Sequence, residues 1–113
     1  MKRFPSIRKN SEFQIVYRKG HSCANRYLVM YVFPSGQDFP RIGISVSKKN
    51  GNSVVRHHLT RLIRESFRLH KDEIEQNVDI VIVARAAARE ADYKKIEGAY
   101  LHLCGIAGIL KKN

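Results

Sequence analysis

The chain has 113 residues, 43% of them apolar, which suits one packed domain and excludes a disordered chain. Its longest apolar runs, Tyr27 to Phe33 and Ile80 to Ala84, fall far short of the ~20 residues of a membrane span. Lys and Arg number 21 against 10 Asp and Glu, a net charge of +11, and the excess is confined to one part of the chain: residues 1–70 carry 14 basic and 3 acidic side chains, residues 71–113 seven of each. So lopsided a distribution is not a general solubilising surface. It is an electrostatic footprint for a polyanion, with nucleic acid ahead of an anionic membrane surface or an acidic protein. No apolar signal core follows the basic Met1-Lys2-Arg3-Phe4-Pro5, and Cys23 and Cys104 lack metal-binding or scaffold spacing. Export, disulfides and structural zinc are therefore not expected; a cytoplasmic protein is.

Residues 1–10 are basic and aperiodic and read as an extended arm. Ser11 followed by Gln14 has the form of a capping box, and Phe13, Val16 and Tyr17 share one face, so the spacing predicts a helix over 11–19 stopped by Gly20. Asn25 to Phe33 reads as a strand apolar on both faces, with Tyr27, Val29, Tyr31 and Phe33 on one and Leu28, Met30 and Val32 on the other. Turn chemistry over 34–40 leads to a second alternating run, Arg41 to Ser47, and the simplest pairing of the two is an antiparallel hairpin. A short extra strand near His21–Ala24 is an option.

Lys48 to Asn52 is a basic turn before the strongest predicted helix, Ser53 to His70. At about 100° per residue, Val55, Leu59, Leu62, Ile63, Ser66 and Leu69 fall in an arc of roughly 120°, with Arg56, Arg61, Arg64 and Arg68 on the other side. Val78 to Ala84 is nearly all apolar and β-branched and predicts a central strand. The Ala-rich residues 84–91 read as a loop or a helix start. Asp92 is placed to cap a last helix that turns Ile96, Tyr100 and Leu103 inward, and the tail over 105–113 has no clear pattern.

Chemistry in the first half points to binding rather than catalysis. Glu12, Asp38 and Glu65 are too scattered for paired acid–base work, and phosphate-loop, zinc-protease and serine-hydrolase motifs are missing. His57 and His58 are adjacent, so on a helix they diverge by about 100° and do not converge on one reacting atom. The arginine row has one acid among it, Glu65, whereas a merely solvated face mixes signs; guanidinium groups in a row suit phosphates. Lys48 and Lys49 extend it. Phe13, Tyr17 and Tyr31, with Arg18 and Arg26 nearby in sequence, form either part of the core or a platform on which single-stranded bases stack.

The segments Phe13 to Gly20, Asn25-Arg26, Arg41 to Lys49, Gly51 to Arg56 and Leu62 to Arg68 together resemble the protein subunit of bacterial ribonuclease P over roughly residues 7–104. The resemblance implies an α+β fold: a single-domain α-β sandwich like the second domain of ribosomal protein S5, with a left-handed β-α-β crossover through the arginine helix. It implies that the catalyst is a large RNA subunit with Mg2+, that this RNA and precursor tRNA are the partners without an obligatory protein partner or membrane, and that the reaction removes the 5′ leader of precursor tRNA. By position, the RNA-subunit face would comprise Lys48, Lys49, Asn52, Arg56, His57, Arg61, Arg64 and Arg68. The leader cleft would comprise Phe13, Tyr17 and Tyr31 with Arg18 and Arg26, and the protein would hold neither a catalytic residue nor a metal.

The family's Arg-Asn-Arg motif falls on Arg56-His57-His58, a common lysine position falls on Thr60, and a C-terminal aromatic of some members falls on Leu110. Histidine restores charge only near its reference pKa of ~6.5. RNA affinity should therefore weaken between about pH 6 and 8 more than in relatives with arginine at this motif; titrations at fixed salt and magnesium that give equal affinities across that range would count against it. Two rivals make different predictions. A ribosomal or ribosome-assembly protein would bind ribosomal RNA without affecting precursor cleavage. A protein-only ribonuclease using His57 and His58 would cleave without RNA.

Overall fold

A computed structural model describes residues 6–75 and 77–111. Its elements are α1 (Asn10–Lys19), β1 (His21–Ala24), β2 (Leu28–Pro34), β3 (Arg41–Ser45), α2 (Ser53–His70), β4 (Val78–Ala84) and α3 (Tyr93–Ala107). One four-stranded sheet has the order β1-β2-β4-β3. The antiparallel hairpin expected between the second and third strands does not form. Instead, β4 lies between them, antiparallel to β2 with Tyr31 opposite Val81, and parallel to β3 with Gly43 opposite Val81. The reason lies in β4: it is buried almost throughout, which suits an inner strand with a neighbour on each edge. Parallel pairing with β3 then requires a crossover, which α2 supplies. The optional strand at His21–Ala24 is present and pairs with β2.

Strand alternation divides the core into two layers. Leu28, Met30, Val32, Ile42, Ile80 and Ile82 face α2 and α3. Tyr31, Phe33, Val81 and Val83 face the other way, toward Val16 of α1 and Ile7. The result is the expected α-β sandwich, with α1 on one face of the sheet and α2 and α3 on the other. Asn25 and Tyr27 lie outside the strand predicted for them. The Asn25 side-chain oxygen accepts the backbone N–H groups of Tyr27 and Leu28 at 3.1 and 3.0 Å, while its amide donates to Ala99 O at 2.9 Å. This asparagine therefore makes the turn into β2 and ties it to α3.

Helix α1 begins one residue before the expected start, and Ser11 is not its cap. The Glu12 carboxylate accepts the Lys9 N–H at 3.4 Å, which places the capping pair two residues earlier. Gly20 does end the helix, but at φ −80 it is not left-handed. Glycine is needed for space: a Cβ would lie 2.5 Å from Val16 O and 2.8 Å from Val32 O. The extended arm is docked on the sheet from Ser6 onward. Ser6 bridges to Ile42, Ile7 N–H donates to Ile42 O at 2.8 Å, and Ile7 is buried; residues 1–5 of the predicted arm lie outside the described residues.

Helix α2 has the predicted bounds, with Asn52 as its N-cap accepting the Val55 N–H at 3.1 Å. Its buried stripe is rotated from the expected arc. Leu59, Ile63 and Phe67, one turn apart, lie fully inside with Ser66, whereas Leu69 is 50% exposed. Seating the Phe67 ring buries more apolar surface than seating Leu69, which selects this rotation. At the end of α2, His70 lies between two carboxylates, with Nδ1 against Glu73 and Nε2 2.8 Å from Glu97, which also accepts from Tyr93 OH at 3.1 Å. The Glu97 hydrogen bond, then Glu73, raises the His70 pKa above its usual 6.5 against the effect of burial. A raised folded-state pKa contributes stability that is complete below about pH 6.5 and is lost as pH rises through the folded value. Denaturant midpoints should therefore fall from pH 6 toward pH 9, and His70→Gln should remove that part of the slope; an identical slope in the variant would show that the cluster is not its source.

Asp92 caps α3 by accepting the Lys95 N–H at 3.0 Å, and Ile96, Tyr100 and Leu103 point inward as the pattern predicts. Up to Lys111 the tail is more ordered than its sequence suggests, and residues 112–113 lie outside the described residues. Gly108, left-handed at φ 73, stops the helix, Ile109 is buried, and Leu110 pairs with Ile74. Cys104 is buried and its thiol is pushed up to about 12 by that burial, which leaves it an inert filler.

Candidate nucleic-acid interface

Phe13 and Tyr17 stand one helical turn apart on the sheet-facing side of α1, their ring centroids 6.2 Å apart. Tyr31, the outward residue of β2 at this level, meets Tyr17 edge-on at 5.0 Å. All three rings are half-buried. They pack on Val16 and Val81 while keeping part of their surface in solvent, so the core and platform readings each describe one side of the same rings. Arg18 is exposed one residue beyond Tyr17. Arg26 is placed differently: its guanidinium sits 5.7 Å over the ring of Tyr27, which packs on the layer of α2 and α3.

The acids nearest the platform are occupied. The Arg41 guanidinium donates to both oxygens of Asp79, at 2.9 and 2.7 Å, and to Glu12 at 2.8 Å. One arginine thus joins β3, β4 and α1 and holds the Glu12 carboxyl below its usual range. With one guanidinium against two carboxylates the cluster keeps a net charge of −1, and the three groups are held in bonds to one another.

Arg61, Arg64 and Arg68 are exposed along α2, and Arg56 is half-buried with its Nε buried and without a hydrogen-bond partner among the described residues. Arg68 differs from the expected row, since its Nε donates to Glu65 at 3.0 Å. Lys48 and Lys49 are exposed on a short turn of 3-10 helix, Lys48–Asn50. Asn50 beneath them is buried and donates to Arg85 O at 3.0 Å, and Gly51, at φ 135, carries the chain into α2. This anchoring holds both lysines beside the first turn of the helix. Asn52 is exposed there as well, its side-chain oxygen used by the cap.

Two hollows run along the outer edge of β3. One, of about 330 Å³, is lined by Arg8 of the arm, Phe13, Ile44, Thr60 and Arg64. The other, of about 220 Å³, is lined by Ile44, Arg56, His57 and Thr60. Ile44 and Thr60 belong to both, so the hollows are neighbours. Phe13 and Arg64, read from the sequence as parts of separate surfaces, share the larger one. Arg8 was not singled out by sequence reasoning; the basic composition of the arm was the available signal, and the docking of Ile7 beside it is a tertiary contact. His57 lines the smaller hollow, whereas His58 is exposed and absent from its lining. Among the described residues, no group of three His, Cys, Asp or Glu side chains is placed to hold a metal ion.

The family profile described as "Ribonuclease P" matches residues 1–108. A relative from Clostridium novyi (strain NT), described as ribonuclease P protein component, is 50% identical over 111 residues, covering 96% of this chain and 98% of the relative. One from Alkaliphilus oremlandii (strain OhILAs), with the same description, is 46% identical over 103 residues, covering 91% and 90%. Among solved structures, the Staphylococcus aureus RNase P protein aligns with a TM-score of 0.88 at 41% identity, over 97% of this chain and all of that one. The Thermotoga maritima RNase P protein aligns at 0.81 with 30% identity, over 87% and 93%.

Proposed function

The chain belongs to the ribonuclease P protein family, and from that premise we propose how its two surfaces divide the work of the enzyme. It is the protein component of a ribonucleoprotein endoribonuclease of tRNA processing, whose catalyst is the RNA subunit. The chain acts as one RNA-binding domain. Lys48, Lys49, Arg56, Arg61 and Arg64, flanked by Asn52, His57 and Arg68, grip phosphates of the RNA subunit. Phe13, Tyr17 and Tyr31 take the single-stranded 5′ leader of precursor tRNA by stacking, with Arg18 close by and Arg26 at the margin. The observation that carries this reading is the hollow that Phe13 and Arg64 share, which sets the aromatic platform beside the arginine helix so that the leader and the RNA subunit would meet there.

In this reading Mg2+ is bound mainly by the RNA, and no catalytic step is assigned to the protein. Among the described residues no helix is long and apolar enough to cross a membrane, and the proposed setting is the cytoplasm.

The leader assignment is tested with Phe13→Ala. Losing one stacking ring should weaken precursor binding by roughly tenfold, given ~1–3 kcal/mol per stacked base, with little effect on a substrate whose leader is a single nucleotide. Equal weakening of both substrates, or a large loss of stability with leader binding intact, would return Phe13 to the core.

A further inference from the structure

We propose that Gly43 is a positioning residue for precursor tRNA binding, acting by holding the Phe13 ring down on the sheet; this rests on the leader reading above. Gly43 is buried in β3, a strand interior where glycine ordinarily weakens the sheet. Its backbone does not require glycine, because the positive-φ glycines among the described residues are Gly51 and Gly108. Space does require it. A Cβ at this position would lie 2.6 Å from Phe13 Cζ, 2.7 Å from Cε1 and 3.2 Å from the Cβ of Ile7. The two closest clashes are with the ring.

The sheet register explains why this seat shapes the whole platform. Tyr31, Val81 and Gly43 are directly opposite one another across three strands. Side chains rise from the first two positions, and the third is vacant, so the Phe13 ring occupies the space above it. With Phe13 seated there, Tyr17 lies one turn on and meets Tyr31 edge-on. A methyl group at position 43 would lift the ring by about 1 Å to reach ordinary van der Waals contact. That displacement would reshape the hollow that the ring lines with Arg64 and spoil its alignment for a stacked base.

The test uses ribonuclease P reconstituted from the full chain and its RNA. Precursor tRNA with a leader of several nucleotides is compared with one bearing a single-nucleotide leader. Gly43→Ala should raise KM for the long-leader substrate by about tenfold, the loss expected for one stacking contact, with kcat little changed and the short-leader substrate little affected. Because the methyl group acts through the ring, Gly43→Ala combined with Phe13→Ala should be no weaker than Phe13→Ala alone. A leader defect in Phe13→Ala with none in Gly43→Ala would overturn the positioning role while leaving the leader reading intact. No leader defect in Phe13→Ala would overturn both. If Gly43→Ala alone fails to fold, the double variant decides: recovery of folding once the ring is removed supports the seat, and continued failure overturns it.

Discussion

Replacing Lys48, Lys49, Arg61 and Arg64 together by alanine is expected to weaken binding of ribonuclease P RNA by about two orders of magnitude near physiological salt. Each phosphate neutralised on single-stranded RNA contributes about 0.7 to the slope of log affinity against log salt, or roughly 0.6 of a decade at 0.15 M. If about six contacts form, the native slope should lie near −4 to −5, and removing four should bring it to about −1 to −2. All four side chains are exposed, so the thermal midpoint should move by only a few degrees. Affinity measured over a salt series reads both quantities. A native slope near −1, or a slope unchanged in the variant, would mean that this face does not hold the RNA.

The largest stability loss is expected from Arg41→Met. Arg41 bridges three elements, and its removal leaves Asp79, whose side chain is 9% exposed, as a carboxylate without its bidentate partner in the central strand. Breaking such a pair from one side costs about 3 kcal/mol, which in a domain of this size lowers the midpoint by roughly 10–20 °C. The loss comes mainly from the stranded acid rather than from the attraction forgone. Arg41→Met combined with Asp79→Leu should therefore recover much of it, as apolar replacements of buried pairs commonly do. A double variant as unstable as the single one would place the cost in α1, which Arg41 also holds through Glu12.

Local chemistry was the legible part of this fold. The bounds of α2, the central position of β4 and the Asp92 cap all follow from periodicity and side-chain type within a few residues. What periodicity missed depends on distant partners. The order of β3 and β4 depends on α2 folding across the sheet, and adjacent strands in sequence looked like a hairpin because nothing in a turn sequence reports a strand arriving 40 residues later. The rotation of α2 depends on which side chain best fills the space beneath it, and there Phe67 displaced Leu69. The pairing of Arg41 with Asp79 joins residues 38 apart and carries no local signature.

The candidate site divides in the same way. The arginines were visible because a helical face with one acid is unusual, and the aromatic pair was visible at i, i+4. Their joining in one hollow was not, since it needs the arm docked on β3 and a glycine beneath Phe13. Gly43 is informative in the structure and silent in the sequence. In a strand pattern it reads only as a weak point, and its use emerges when the register places it beside Val81 and under the ring.

This protein supports an RNA catalyst and does not cleave by itself. The most direct measurement is cleavage of precursor tRNA at low magnesium and near-physiological salt by the protein alone, by ribonuclease P RNA alone, and by both together. Efficient cleavage at the 5′ leader junction is expected only in the mixture. Cleavage by the protein alone, abolished in His57→Ala, would contradict it.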